Sequence, residues 1–270
     1  MTIPPIVTAL YVPGDRPDRF DKAVASGAQL VIVDLEDAVA PDRKVLARDE
    51  VMMWLASRTF DDVTIEVRVN SGDADDLAAA AALDIAVGVR VPKVESPEEL
   101  DAVSEIVGDG RGIAALVETA IGVESLGSIA AHPAVASVSL GEADLASDLG
   151  TRDVSVLDWV RIRLLVATRA AGLPPPMMSV YPAISDLDGL RADTERGRDL
   201  GFVGRTAVHP SQLPVIAAAF RPSADDIAWA TDVLDVTAAG GVGRLPSGDM
   251  VDPAMRGRAE RILALAAVTG

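Results

Sequence analysis

Cysteine is absent from the 270 residues, which excludes disulfides, thiolate metal sites and thiol catalysis. Histidine is almost as scarce, and His132 and His209 alone cannot build a multi-imidazole zinc centre. Positive charge is short as well: 24 Lys and Arg face 41 Asp and Glu, a net charge of −17. That field repels phosphate backbones and anionic lipid, so neither nucleic acid nor a membrane surface is an expected partner. A small anionic substrate can bind only where a few Arg or Lys are concentrated against this background. No uncharged apolar run reaches the ~18 residues of a membrane span. The first residues, MTIPPIVTAL, lack the basic and then apolar pattern of a signal peptide, so a cytoplasmic location is expected. What is abundant is apolar material, 49% of the chain, enough for a large core and incompatible with disorder or a collagen-like structure.

Short β-prone runs alternate with amphipathic stretches along the chain. Strands are expected at 9–13, 30–35, 64–70, 88–94, 113–119, 137–142, 177–181 and 204–209, the seventh following three prolines. Helices are expected at 16–26, 43–56, 75–83, 97–107, 123–131, 156–171 and 187–200. Ser96-Pro97-Glu98-Glu99 is a helix start with a capping Ser, Pro in the first turn and acids near the helix dipole. Eight strands with interleaved helices predict a (β/α)₈ barrel, for which roughly 250 residues is typical, with an open doubly wound sheet as the alternative. No linker or internal repeat divides the chain, and the barrel is expected over residues 1–222. Residues 223–270 form an extension: a helix at 223–239 capped by Ser223, a Gly-rich break at 240–243, a turn at 246–249 and a final helix. A barrel does not need this tail, which is therefore expected to fold over the barrel or to reach a neighbouring subunit.

In a parallel barrel the chemistry lies where the strands end. Here those positions hold Asp34, Glu36 and Asp37, then Arg68 and Asn70, Lys93 and Glu95, Glu118, Glu142 and Asp144, and His209. Several carboxylates at one mouth raise one another's pKa unless a cation sits among them. Without thiolates or enough imidazoles, that cation would be Mg²⁺ or Mn²⁺. Glu118 and Asp144, on adjacent strands ~4.8 Å apart, are the pair chosen on position, against the alternative of acid-rich surface loops. Arg68 inside Val67-Arg68-Val69 reads either as a bidentate clamp for a substrate carboxylate or as an ion pair to Glu66 or a neighbouring strand. Asp34, Glu36 and Asp37 read as acceptors for metal-bound water, best Glu36 and Asp37, or as structural partners of Arg16 or Lys44. Lys93 is expected to pair with one of these acids, which would keep its amine protonated and unsuited to a Schiff base. His209 and His132, each before a proline, are expected to be structural. Asp148 and Gly150 are expected to shape the loop after strand six.

The sequence resembles the citrate lyase β-subunit-like branch of the HpcH/HpaI aldolase superfamily, which includes malyl-CoA and citramalyl-CoA lyases. The matching segments are YVPGDRPDRFDKA at 11–23, VIVDLEDAVAPDRK at 31–44, VRVN at 67–70, VPKVES at 91–96, LVETAIGVES at 116–125, SLGEADLASDLG at 139–150, AVHPSQL at 207–213, FRPS at 220–223 and GDMVDPAM at 248–255. The resemblance implies a (β/α)₈ barrel assembled as a trimer or hexamer, with Mg²⁺ on Glu118 and Asp144. It implies that Arg68 binds the carboxylate of a 2-oxo or 2-hydroxy acid and that Tyr11 and Lys22 contact coenzyme A. It also implies that Asp252, in the tail, reaches a neighbour's active site as the proton-transfer group.

The implied reaction is reversible carbon–carbon cleavage of a 3-hydroxyacyl thioester, in which a bound Mg²⁺ polarises the oxo or alkoxide oxygen. Three other readings stay open: a citrate lyase β subunit acting on a carrier-protein thioester with partner subunits, a malyl-CoA thioesterase, and a non-catalytic scaffold barrel. Asp18 stands where some relatives carry a basic residue toward coenzyme A, and Asp249 adds an acid beside Asp252. Asp252 also has a purely structural reading as the cap of the final helix ahead of Pro253.

Overall fold

The computed structural model describes residues 4–269 apart from 84, 86, 109, 239 and 246. Ala239 and Gly270, which end the two expected tail helices, Pro246 of the expected turn and the first three residues of the N-terminal stretch lie outside the described residues.

Eight parallel strands form one sheet: β1 (Thr8–Pro13), β2 (Leu30–Asp34), β3 (Thr64–Arg68), β4 (Gly88–Val91), β5 (Ile113–Val117), β6 (Val135–Leu140), β7 (Met177–Met178) and β8 (Gly204–Ala207). Their ladder order is β6-β5-β4-β3-β2-β1-β8-β7, so the sheet curls until β6 and β7 lie side by side. This is a nearly closed (β/α)₈ barrel, not the open doubly wound alternative. The seam falls at β7, the two-residue strand behind Pro174-Pro175-Pro176, whose missing N–H groups leave little ladder to form. Just above the seam the Glu142 N–H donates to Ser179 Oγ at 3.3 Å.

Strand residues alternate between two cores. Val31, Val33, Ile65, Val67, Val89, Ile113 and Ala115 face the surrounding helices and belong to the main core, whereas Ala9, Leu30 and Ile32 plug the barrel interior with Tyr11 and Met177. Burying each large aliphatic or aromatic side chain of the outer shell, such as the fully enclosed Leu55 or Phe20, contributes about 1.5–3 kcal/mol.

The first strand ends at Pro13 as the sequence pattern predicts, and the other seven end earlier, where polar residues or proline turn the chain. The Asp34 carboxylate accepts the N–H groups of Glu36 and Ala38, which ends β2. Pro92 cannot extend β4, and Lys93 beyond it turns left-handed with φ 55°. Thr119 caps the next helix by accepting from the Gly122 N–H, and His209 caps a 3₁₀ turn at Pro210–Gln212.

Around the sheet run α1 (Pro17–Val24), α2 (Lys44–Ala56), α3 (Ala74–Ala81), α4 (Pro97–Val107), α5 (Ala120–Glu124), α6 (Leu126–Ala130), α7 (Glu142–Asp148), α8 (Val154–Ala170), α9 (Leu187–Leu200) and α10 (Leu213–Phe220). Three findings correct the sequence expectations. The single helix expected at 123–131 is two short helices starting at Ala120; the loop expected around Asp148 is α7; and α10 was not foreseen. Ser96 occupies the cap of α4 without making a side-chain cap bond.

The tail comprises α11 (Ala224–Val236), a two-stranded antiparallel hairpin of β9 (Gly243–Arg244) and β10 (Met250–Val251), and α12 (Arg256–Thr269). Ala230, Val233, Leu245, Val251 and Ala259 give it a small core of its own. Ser223 and Asp226 form a reciprocal capping box at the start of α11. The end of α12 lies at the bottom of the barrel, where Val268 and Thr269 line a crevice with Thr8 and Gln29, and Arg221 Nε donates to the Thr269 carbonyl at 2.6 Å. No helix is long and apolar enough to cross a membrane among the described residues.

Candidate active site

A cavity of about 400 Å³ opens at the C-terminal ends of the strands. Its wall includes Tyr11, Asp34, Asp37, Arg68, Arg90, Glu118, Ser139, Glu142 and Asp144, with Leu116, Leu140, Met178 and Val180 as apolar surface. Of the expected site residues, Tyr11, Arg68, Glu118, Asp144 and Asp37 therefore meet in one place.

Register explains the anchoring of Arg68. It sits directly opposite Asp34 in the β2–β3 ladder, and the two pair bidentately, with Nε–Oδ1 and Nη2–Oδ2 both 2.7 Å. Nη1 faces Glu36 Oε2 at 3.1 Å and Asp37 Oδ2 at 3.4 Å. Burial works against the charge of Arg68, but the bonds to Asp34 outweigh it and hold the guanidinium pKa above its usual range. The neighbouring-strand ion pair is thus present, while Glu66 pairs with Arg90 instead. Arg68 also lies over the Tyr11 ring, 5.0 Å from its centroid.

The acids after β2 do not pair with Arg16 or Lys44, as one sequence reading had it. Arg16 is bonded to Asp18, and Lys44 Nζ donates to the carbonyls of Leu35 and Glu36 and to Asn70 Oδ1. Glu36 is instead held by Arg68 and by Lys93, whose Nζ is 2.5 Å from Oε1. Lys93 therefore pairs with an acid, and that bond raises its pKa, so the amine stays charged.

Glu118 follows β5 and is 2% exposed. The Lys93 backbone N–H donates to its Oε2 at 3.2 Å. A Cβ on Gly141 would lie 2.2 Å from Glu118 Oε1, so glycine at 141 is what leaves room for this carboxylate. Burial, then the charges of Glu36 and Asp144, push the Glu118 carboxyl up to about 7. Asp144 stands exposed in the first turn of α7. Its neighbour Glu142 is clamped by Arg161 of α8 through two 2.7 Å bonds.

Among the described residues five carboxylates and two guanidinium groups line the cavity, and Asp34 and Glu142 are neutralised by Arg68 and Arg161. The charge left uncompensated centres on Glu118 and Asp144. Buried Glu36 Oε2 has its ion-pair contact with Arg68 and no hydrogen bond of its own. Hard oxygen donors with surplus negative charge fit Mg²⁺ or Mn²⁺. Among the described residues no group of three or more His, Asp or Glu is spaced to hold an ion, so water and substrate oxygens would complete the coordination of one on Glu118 and Asp144.

Two expected participants lie elsewhere. Lys22 is exposed in the last turn of α1 and does not line the cavity. Asp252 caps a 3₁₀ turn at Pro253–Met255 by accepting the Ala254 N–H at 2.9 Å, also outside the cavity of its own chain. Both histidines hold loops: His209 bonds Ser211, and His132 bonds Asp101 and the Ala134 N–H. Sequence reasoning missed Arg90 and Ser139, although Val89-Arg90-Val91 repeats the alternation that singled out Arg68.

Residues 8–210 match the family model described as HpcH/HpaI aldolase/citrate lyase. The chain belongs to that family. Residues 171–270 also match a model for carbon–carbon bond lyases of the TIM-barrel fold. Family relatives include a (3S)-malyl-CoA thioesterase of Cereibacter sphaeroides, 39% identical over 83% of this chain and 80% of the relative. A citrate lyase subunit beta-like protein of Mycobacterium tuberculosis is 34% identical over 94% of this chain and 93% of its own. The crystal structure of CitE from M. tuberculosis in complex with magnesium, acetoacetate and coenzyme A superposes with a TM-score of 0.79 at 34% identity, covering 97% of this chain and 98% of that one.

Proposed function

We propose that the protein is a cytoplasmic, Mg²⁺-dependent carbon–carbon lyase that cleaves a 3-hydroxyacyl-CoA thioester of the malyl-CoA or citramalyl-CoA type, or forms one in reverse. The observation that carries this reading is the meeting of Glu118, Asp144 and Arg68 in one cavity at the strand ends. Magnesium and coenzyme A in the related CitE structure support it.

In this reading Glu118 and Asp144 hold Mg²⁺, which supplies a Lewis acid for the oxo or alkoxide oxygen. Arg68, fixed by Asp34, turns its guanidinium to the α-carboxylate of the 2-oxo acid. Glu36 and Asp37 accept from ordered water, and Lys93 holds Glu36 in place. Tyr11 and Lys22 contact the coenzyme A thioester. Residues 1–222 form the barrel and 223–270 an extension that carries Asp252 to a neighbouring subunit in a homotrimer or hexamer. Asp252 there moves the proton at the thioester α-carbon. The tail's separate core supports a unit that can lean on a second chain.

The thioesterase relative favours a second reading, hydrolysis of malyl-CoA. Mass spectrometry of the protein incubated with malyl-CoA and Mg²⁺ separates the two. Acetyl-CoA with glyoxylate identifies the lyase, and free malate with coenzyme A the thioesterase. EDTA and Asp252→Ala should abolish the lyase products. An absence of either product set from malyl-CoA and from citramalyl-CoA would remove the proposal and move the case to a carrier-protein thioester.

A further inference from the structure

Beside Arg68 the barrel interior carries a second charged pair: Arg90 is the direct ladder partner of Arg68, and Glu66 lies two residues deeper on β3. Arg90, 5% exposed on β4, donates from Nε to Glu66 Oε2 at 2.8 Å and from Nη1 to Ser139 Oγ at 2.7 Å, and its Nη2 forms an ion-pair contact with the same Glu66 oxygen at 2.6 Å. These bonds run from β3 to β4 and then past β5 to β6, so the guanidinium lies across the interior under the mouth. Tyr11 and Leu116 line the same cavity, and Ala9, Leu30 and Ile32 lie with Tyr11 in the plug. Inward positions of such barrels are mostly filled by branched apolar residues. A buried ion pair adds little stability over apolar side chains of similar volume. The Glu66–Arg90 pair therefore needs a reason beyond holding the barrel together.

We infer that the Arg90–Glu66–Ser139 floor limits the alkyl length of the 2-oxo acid that the site accepts. The inference rests on the oxo-acid reading above. With the carboxylate and oxo oxygen engaged at the strand ends and the bulky thioester entering through the mouth, the remaining substituent of the carbonyl carbon points down to this floor. An alkyl chain pressed there strips water from the remaining polar atoms of the ion pair and returns no hydrogen bond, which is unfavourable. A hydrogen or a methyl group leaves that hydration in place.

Isothermal titration calorimetry of 2-oxo acids with two to five carbons, in saturating Mg²⁺, tests this on the unaltered protein. Affinity should fall about tenfold or more with each methylene beyond three carbons. In an Arg90→Met/Glu66→Leu double variant, which keeps the net charge, the decline should flatten to within about threefold. Ser139→Ala, a smaller change, should narrow the three- to five-carbon ratio at least threefold even if the double variant does not fold. Mg²⁺-dependent binding that is indifferent to chain length in the unaltered protein, or an unchanged decline in Ser139→Ala and in any folded double variant, overturns the inference and leaves the lyase reading standing. No binding of any 2-oxo acid overturns both.

Discussion

Glu118 is the residue at which burial and charge conflict most. Its carboxyl is raised from the ordinary 4.5 to about 7 by burial first and by Glu36 and Asp144 next. A carboxyl whose folded pKa exceeds its unfolded one binds a proton more tightly when folded. Its contribution to stability is complete below about 4.5 and is lost as pH rises through about 7. At pH 8 the metal-free protein thus carries a cost of up to about 3 kcal/mol from this one group. A bound divalent cation offsets that cost, so Mg²⁺ should raise Tm more at pH 8 than at pH 6. Glu118→Gln should raise the Tm of the metal-free protein at pH 8 and remove the Mg²⁺ response. Differential scanning fluorimetry of both proteins checks this, and an equal Mg²⁺ shift in the two would remove Glu118 from the ion site. The position of Glu118 was legible in the sequence because a charged residue ended an apolar run. The partner of Arg68 was not, since only the β2–β3 register puts Asp34 opposite it. Arg90 was missed for the same kind of reason: its partner Glu66 lies diagonally across a ladder that opposes Glu66 to Gly88.

Among the elements, those with a start signal and an amphipathic period were readable, and those lacking either were not. α7 begins directly off β6 behind Gly141, which has no side chain to cap it. α10, Leu-Pro-Val-Ile-Ala-Ala-Ala-Phe, is apolar on nearly every face and offers no polar stripe to mark its period. α11 is the opposite case: Ser223 accepts from the Asp226 N–H while Asp226 accepts from the Ser223 N–H. Ser223→Ala should therefore cost about 1 kcal/mol, or a Tm lower by about 2–4 °C. Calorimetric Mg²⁺ affinity should not change, because α11 contributes nothing to the cavity wall. A loss of Mg²⁺ affinity in Ser223→Ala would show that the tail and a cavity mouth are coupled.

At the scale of the whole molecule, the tail poses a geometric problem that a second copy of the chain resolves. Its last helix ends at the bottom of the barrel and Asp252 does not line the cavity at the top. If Asp252 acts in a neighbour's site, each working site draws Glu118 from one chain and Asp252 from another. Asp252→Ala and Glu118→Gln should then each be inactive alone, yet recover activity when co-expressed and assembled together. Random assembly gives intact Glu118 in half the sites and, independently, intact Asp252 in half of the donors. About a quarter of the sites should be complete, and the mixture should run at about a quarter of the unaltered rate per site. If Asp252 served its own chain, every site would keep one defect and the mixture would stay inactive. The rate of the co-purified mixture, normalised to its mass-spectrometric subunit ratio, therefore decides whether the tail serves its own barrel or the next.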